Sequence, residues 1–242
     1  GQEAEVMFAS HSWPRWGNAR IQEVLRTQRD AYANLNNQAL HYANQGVTIN
    51  EIHNVYEVPK SLQHQWAARS YHGDVKNNSR AVINRFLGFY DNNPVNLHPL
   101  SPQDSAPLYV EMMGGSAKIM AKGQQLIDQG KYLEATEILN KLVFAEIKNL
   151  PARRLLANAY EQLGYQAEST SVRNSYLQGA YELRHGLPAG ASPRPGPDTV
   201  RAMSTEMWLD FLGISMDPKR AEGLNFTLNL VTPDNGERFL VE

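Results

Sequence analysis

The sequence predicts a mainly α chain: a central all-helical domain followed by the start of an α+β domain. Three observations carry that expectation. Apolar residues recur at helical spacing from residue 18 to residue 183. A stretch rich in proline and glycine, residues 186–197, interrupts the pattern and marks a domain boundary. Short alternating apolar runs, which read as strands, lie near the two ends of the chain.

Taken in order, residues 4–9 read as a short apolar strand and Ser12-Trp13-Pro14-Arg15-Trp16-Gly17-Asn18 as a stiff aromatic turn. From Asn18, Ile21, Val24, Leu25, Tyr32, Leu35, Ala39 and Tyr42 share one face, which predicts a long amphipathic helix ending near Gly46. Thr48 and Glu51 have capping-box spacing for a short helix to about Tyr56. Pro59 opens another helix that runs to Arg69, and the pair resembles a helix-turn-helix. Residues 71–74 break the pattern, residues 75–90 resume it, and Asp91-Asn92-Asn93-Pro94 ends it. Pro94, Pro99, Pro102 and Pro107 then predict an extended loop over residues 92–107.

Four more helices follow, over residues 116–129 with Ser116 as cap, 132–145, 149–163 and 166–183, with Gly130 and Gly164 as turns. Those glycines are 34 residues apart, the period of tetratricopeptide hairpins. Two copies fall short of the three usually needed to stand alone, so two hairpins completing a larger helical domain is the competing reading. Beyond the boundary come a helix over 198–211, a short one near 218–222 and a strand over 224–230. Pro233-Asp234-Asn235-Gly236 then turns the chain into a last strand ending at Val241. An isolated two-stranded hairpin is marginal in water, so both ends read as parts of domains continued elsewhere.

The net charge is −2, from 23 Lys+Arg against 25 Asp+Glu, which supplies no basic field for a nucleic-acid backbone. The helix-turn-helix would offer DNA only Lys60 and Arg69 at the ends of its second helix. No run approaches the roughly eighteen apolar residues of a membrane span, and Glu3 and Glu5 stand where an export signal would carry cations. With no cysteine, thiolate chemistry, iron-sulfur clusters and Cys-ligated zinc are excluded, so any metal must use His, Asp or Glu.

Of the seven histidines, none falls in a His-Glu-x-x-His or His-x-His pattern. His41, His53, His64 and His185 read as surface or packing residues. His11 follows a strand and precedes the stiff turn, a position suited to holding a ligand. His72 sits in the break Tyr71-His72-Gly73-Asp74, where the glycine allows close approach. Met112-Met113-Gly114-Gly115-Ser116 reads as a turn and cap, and no Gly-x-Ser-x-Gly elbow supports a serine nucleophile.

Ser10-His11-Ser12-Trp13-Pro14-Arg15-Trp16-Gly17-Asn18, Tyr71-His72-Gly73, Gly88-Phe89-Tyr90-Asp91-Asn92-Asn93-Pro94, Asn96-Leu97-His98-Pro99-Leu100 and Glu111-Met112-Met113-Gly114-Gly115 occur in that order. Together they resemble the zinc-dependent alkylsulfatases of the metallo-β-lactamase superfamily. The resemblance implies three regions: residues 1–16 as the last strand and turn of a catalytic domain, 17–187 as a helical dimerisation domain, and 188–242 as linker and first part of a sterol-carrier-like domain. It implies His11 as one zinc ligand, His72 as a catalytic proton donor at the sulfate site, and Tyr90 as a substrate-binding residue at the entrance. It further implies a homodimer, two zinc ions in the intact enzyme, a catalytic domain missing from this chain, and long-chain primary alkyl sulfates such as dodecyl sulfate as substrate. The location expected from the family is periplasmic or secreted. The chain departs from the family in lacking the His-x-His-x-Asp-His metal motif, so it is expected to be inactive by itself. A non-catalytic helical-repeat interaction module is the alternative.

Overall fold

The computed structural model describes residues 3–190 and 196–242, so the middle of the expected linker and the first two residues lie outside the described residues. The chain divides into two compact units, Gly1–Pro188 and Ala189–Glu242. As expected, the architecture is mainly helical, with two small antiparallel sheets of two strands each among the described residues.

The first unit opens with strands β1 (Val6–Ala9) and β2 (Ser12–Trp16), paired Val6 to Trp16 and Met7 to Arg15 with a bulge before Ala9. The expected aromatic turn is therefore a strand. Proline reads as a turn residue, but Pro14 lies in a two-stranded ribbon, where each strand is an edge and a missing N–H costs no ladder partner on the open side. The real turn is tighter and carries Ser10 and His11.

Helix α1 (Asn18–Asn44) runs nearly as expected and buries Ile21, Val24, Leu35 and Ala39. Its predicted face is interrupted at midlength, where Leu25 and Tyr32 are exposed. The Glu51 carboxylate accepts the Thr48 N–H at 2.9 Å and its hydroxyl at 2.7 Å, as the capping-box spacing suggested, and these bonds hold the carboxyl below the usual range. The helices that follow are single turns, α2 (Ile52–Val55) and α3 (Lys60–Gln63), with a separate 3-10 turn at Trp66–Ala68. The helix-turn-helix reading falls with them, because neither is long enough to lie in a major groove. Helix α4 (Val75–Leu87), capped by the Asp74 carboxylate accepting from Asn77 N–H at 2.9 Å, ends before Tyr90. Leu35, Ala39, Ile52, Tyr56 and Ile83 form the core that joins α1, α2 and α4.

The proline-rich segment is not wholly a loop. Helix α5 (Pro102–Met112) begins there, with Ser101 as cap, Pro102 in the first turn and Pro107 inside. Pro102 removes an N–H that would have no helical partner, and Pro107 removes one intrahelical bond, so Ser101 and the apolar face prevail over two prolines. Helices α6 (Ser116–Asp128), α7 (Tyr132–Ala145), α8 (Leu150–Gln166) and α9 (Thr170–His185) complete the unit. Ser116 does not cap α6; its hydroxyl donates to Glu146, which also accepts from Asn149 at 2.7 Å, and the two bonds lower the Glu146 carboxyl in that order.

Gly164 lies inside α8 rather than in a turn. A Cβ there would stand 2.8 Å from a Leu177 methyl, and one at Gly123 in α6 would stand 2.7 Å from a Leu139 methyl. Both glycines serve close helix approach. The 34-residue repeat survives on other residues: Gly123 and Ala157, and Ala135 and Ser169, are all buried at that spacing. The core of these hairpins is Ile119, Leu126, Leu139, Leu142, Leu155 and Leu156.

The second unit holds α10 (Pro197–Ala202), α11 (Thr205–Ser215), α12 (Pro218–Ala221), β3 (Leu228–Thr232) and β4 (Glu237–Val241). The single helix expected over 198–211 is two, because Ser204 caps α11 by accepting from Met207 N–H at 3.2 Å. The strand expected from residue 224 starts at Leu228, which pairs with Val241. Among the described residues of this unit none is fully buried.

Two outcomes follow for the helical unit. Gly123→Ala gains helix propensity but drives a methyl into Leu139, which is fully buried, and overpacking of this kind costs about 1–3 kcal/mol. A lower urea midpoint is expected, and an unchanged or higher one would contradict the close packing. His53, whose Nδ1 is buried without a partner, titrates below its ordinary 6.5, because of burial first and then Arg80 and Lys76. The unfolded chain therefore takes up a proton more readily than the folded one, so stability is complete above about pH 6.5 and falls as pH drops from there to the lowered folded value. His53→Gln should show a smaller loss of urea midpoint between pH 7.5 and pH 5.5 than the unaltered protein.

Candidate functional site

An open cleft of about 390 Å³ lies where the β1–β2 turn meets the segment leading into α4. Residues 10–14, Tyr71, His72 and Thr170 line it. Three parts of the chain, distant in sequence, thus converge: the tip of the hairpin, the break before α4 and the first residue of α9.

Each part is held by its own chemistry. The hairpin turn places His11 at its tip. The Tyr71 carbonyl accepts the Thr170 N–H at 2.8 Å and the Thr170 hydroxyl at 3.1 Å. The His72 carbonyl accepts the Ser169 hydroxyl at 3.0 Å. Ser169 is buried, and its hydroxyl oxygen also accepts from Val172 N–H at 3.4 Å, so the residue that caps α9 also fixes His72. An exposed ion pair between Arg69 and Glu168, 2.5 Å apart, joins the same two segments. Behind the hairpin the Arg15 guanidinium lies over the Trp66 ring at 4.0 Å.

The two histidines meet. Their rings stack with centroids 3.8 Å apart and planes 6° from parallel. The Ser171 hydroxyl lies 3.4 Å from His72 Nδ1, and among the described residues Nε2 of that ring has no hydrogen-bond partner. An imidazole so placed can pass a hydrogen bond or a proton to a group bound in the cleft, and Ser10, Ser12 and Thr170 add hydroxyls to its wall.

A metal places a sharper demand. Ring nitrogens bind a metal in the plane of the ring, so two parallel rings stacked face to face do not direct lone pairs at one ion. Among the described residues no three His, Asp or Glu side chains gather as a metal-binding group. The described residues do not by themselves fit a zinc centre, to which His11 alone could offer one ligand.

Tyr90, expected at the entrance, is half-buried after α4 and outside the residues that line the cleft. Ser169, Thr170 and Ser171 were missed by reading a helix from residue 166. The Ser-Thr-Ser run is a cap signal that would have placed the helix start, and the cleft wall with it, at Ser169. Among the described residues no helix is long and apolar enough to cross a membrane.

The chain matches the family model for alkyl sulfatase dimerisation over residues 48–186 and that for the alkyl sulfatase C-terminal region over residues 194–242. It is 44% identical over 235 residues to an (R)-specific secondary-alkylsulfatase of Pseudomonas sp., covering 97% of this chain and 35% of that protein. It is 39% identical over 241 residues to an alkyl/aryl-sulfatase of Saccharomyces cerevisiae, with 100% and 37% covered, and 39% identical over 243 residues to a linear primary-alkylsulfatase of Pseudomonas sp., with 100% and 36% covered. Among solved structures it is similar to a stereoselective inverting sec-alkylsulfatase from Pseudomonas sp., with TM-score 0.89 and 42% identity over 98% of this chain and 37% of that one. The chain spans little more than a third of the length of these relatives.

Ser169→Ala removes the cap of α9 and the bond to the His72 carbonyl together, an expected loss of about 1–2 kcal/mol in urea unfolding. A midpoint indistinguishable from the unaltered protein would show that the residue does not tie the two segments.

Proposed function

Because the chain belongs to the alkyl sulfatase dimerisation family, we propose that it is the C-terminal portion of a zinc-dependent alkylsulfatase of the metallo-β-lactamase superfamily, which hydrolyses alkyl sulfate esters to an alcohol and inorganic sulfate. The observation that carries this reading is the convergence of His11 and His72, the two histidines singled out by the resemblance, in one cleft. The likeness to alkylsulfatases along nearly the whole chain supports it.

In this reading His11 supplies one zinc ligand, and the remaining ligands belong to a catalytic domain outside this chain. What this chain does in the reaction is narrower. His72, held through its backbone carbonyl by Ser169, presents its ring to the sulfate ester and donates a hydrogen bond or proton to the departing group. The helical domain carries the homodimer contact, and the second unit begins a sterol-carrier-like domain that gathers the alkyl chain. The apolar side chains it leaves exposed, Phe226, Leu228 and Ile214 among them, suit that purpose. A periplasmic or secreted location rests on the family likeness.

Long-chain primary alkyl sulfates such as dodecyl sulfate are the first substrate reading. A second, secondary alkyl sulfates, is favoured by the 44% identity to the (R)-specific secondary enzyme. The test is sulfate release by the full-length protein from a primary and a secondary alkyl sulfate. Hydrolysis of dodecyl sulfate is expected, with His72→Ala lowering kcat about 100-fold or more; faster release from the secondary ester alone would select the second reading. Light scattering of the same protein should give a homodimer. Residues 1–242 by themselves should bind no stoichiometric zinc and release no sulfate, and tight zinc binding by them would overturn the proposal.

A further inference from the structure

Arg15 has no role in the reading above, yet its surroundings are unusual for a residue of a largely exposed hairpin. Its guanidinium donates from NH1 to the carbonyls of Trp13 and Pro14, the latter at 2.9 Å, and from NH2 to the Ser12 hydroxyl at 3.2 Å. Those three residues directly follow His11. The same guanidinium lies over the Trp66 ring at 4.0 Å, and Arg20 of α1 approaches that ring at 5.1 Å. Arg15 Nε is buried without a partner, so the group stays there at a cost in unmet hydrogen bonding.

Trp66 begins the 3-10 turn that leads, through Arg69, to Tyr71 and His72. The strand after His11 and the segment before His72 are therefore joined a second time, through Arg15 and Trp66. The hydrogen bonds to the Trp13 and Pro14 carbonyls hold the backbone just after His11, and the stacking on Trp66 ties that backbone to the segment before His72.

We propose that Arg15, clamped on Trp66, is a positioning residue that sets the His11 ring against His72. The contact requires a planar cation with several forked donors, which arginine has and lysine lacks. Arg15 is not among the residues that line the cleft; it acts through His11. The proposal rests on the alkylsulfatase reading for its effect on turnover, but its effect on the histidine rings stands apart from that reading.

The experiment uses the full-length protein with selectively labelled histidine, unaltered and as Arg15→Lys, Arg15→Met, Trp66→Leu and Trp66→Phe. Ring resonances of His11 and His72 and the kinetics of dodecyl sulfate hydrolysis are measured on each. Arg15→Lys and Arg15→Met should move both histidine resonances away from their stacked positions and lower kcat about 10- to 100-fold with KM little changed. Trp66→Leu should do the same, and Trp66→Phe, which keeps an aromatic face, should lose less. Should Arg15→Met fail to fold, Arg15→Lys and the Trp66 pair decide. The clamp is overturned if Arg15→Lys leaves both resonances and kcat in place, or if Trp66→Phe and Trp66→Leu are equally impaired. If the unaltered protein hydrolyses no alkyl sulfate, the functional reading fails while the resonances still decide the clamp.

Discussion

Two backbone carbonyls, those of Tyr71 and His72, are held by the cap and the first residue of α9, 97 to 99 positions further along the chain. The other features of the cleft depend on these bonds. Without them the break before α4 would rely on the exposed Arg69–Glu168 pair and the contact of Arg15 with Trp66. With them the His72 ring is presented at a defined place, and the hairpin tip can bring His11 onto it. The donors come from a helix N-terminus, whose unpaired N–H groups and capping hydroxyl need acceptors in any case. Capping a helix and holding the segment that carries His72 are thus met by one set of bonds.

The helix that supplies those donors is itself fixed by packing. Gly164 lets α8 and α9 approach until Leu177 fills the space a side chain would take. Arg184 then bridges from α9 to Glu161 on α8 at 2.8 Å, and the half-exposed pair adds orientation more than energy. The same device, glycine against leucine, sets α6 against α7. The hairpins act as a frame that meets the cleft at the first residue of α9, Thr170.

Much of the helical domain was legible because periodicity reports burial directly. The limits of α7 and the start of α1 follow from the sequence, and so does the capping bond of Thr48 with Glu51. Where the reading failed, one residue type served two physical purposes. Proline at 107 signals a loop, but inside a helix it costs one bond, and the rest of α5 outweighs it. Glycine at 164 signals a turn, but it equally allows close helix packing, and only the neighbour at Leu177 tells the two apart. Pro14 suggested a turn where an edge strand stands. Of the site, His11 and His72 were visible as residues in unusual local settings, and the resemblance assigned them roles. Their stacking was not visible, nor was the contact of Arg15 with Trp66, because no local pattern encodes which distant segments touch.

The span of chain enclosed by the contact between His72 and Ser169 also bears on the order of assembly. Closing a loop of 97 residues costs about 1.3 kcal/mol more in chain entropy than closing the 23 residues between Glu161 and Arg184. Helical hairpins with such short closures form early in folding, while contacts of long sequence separation wait until the intervening chain is compact. The cleft is consequently a late product of a frame already built. During synthesis His72 leaves the ribosome 97 residues ahead of Ser169, so its carbonyl goes without that donor until the start of α9 has emerged.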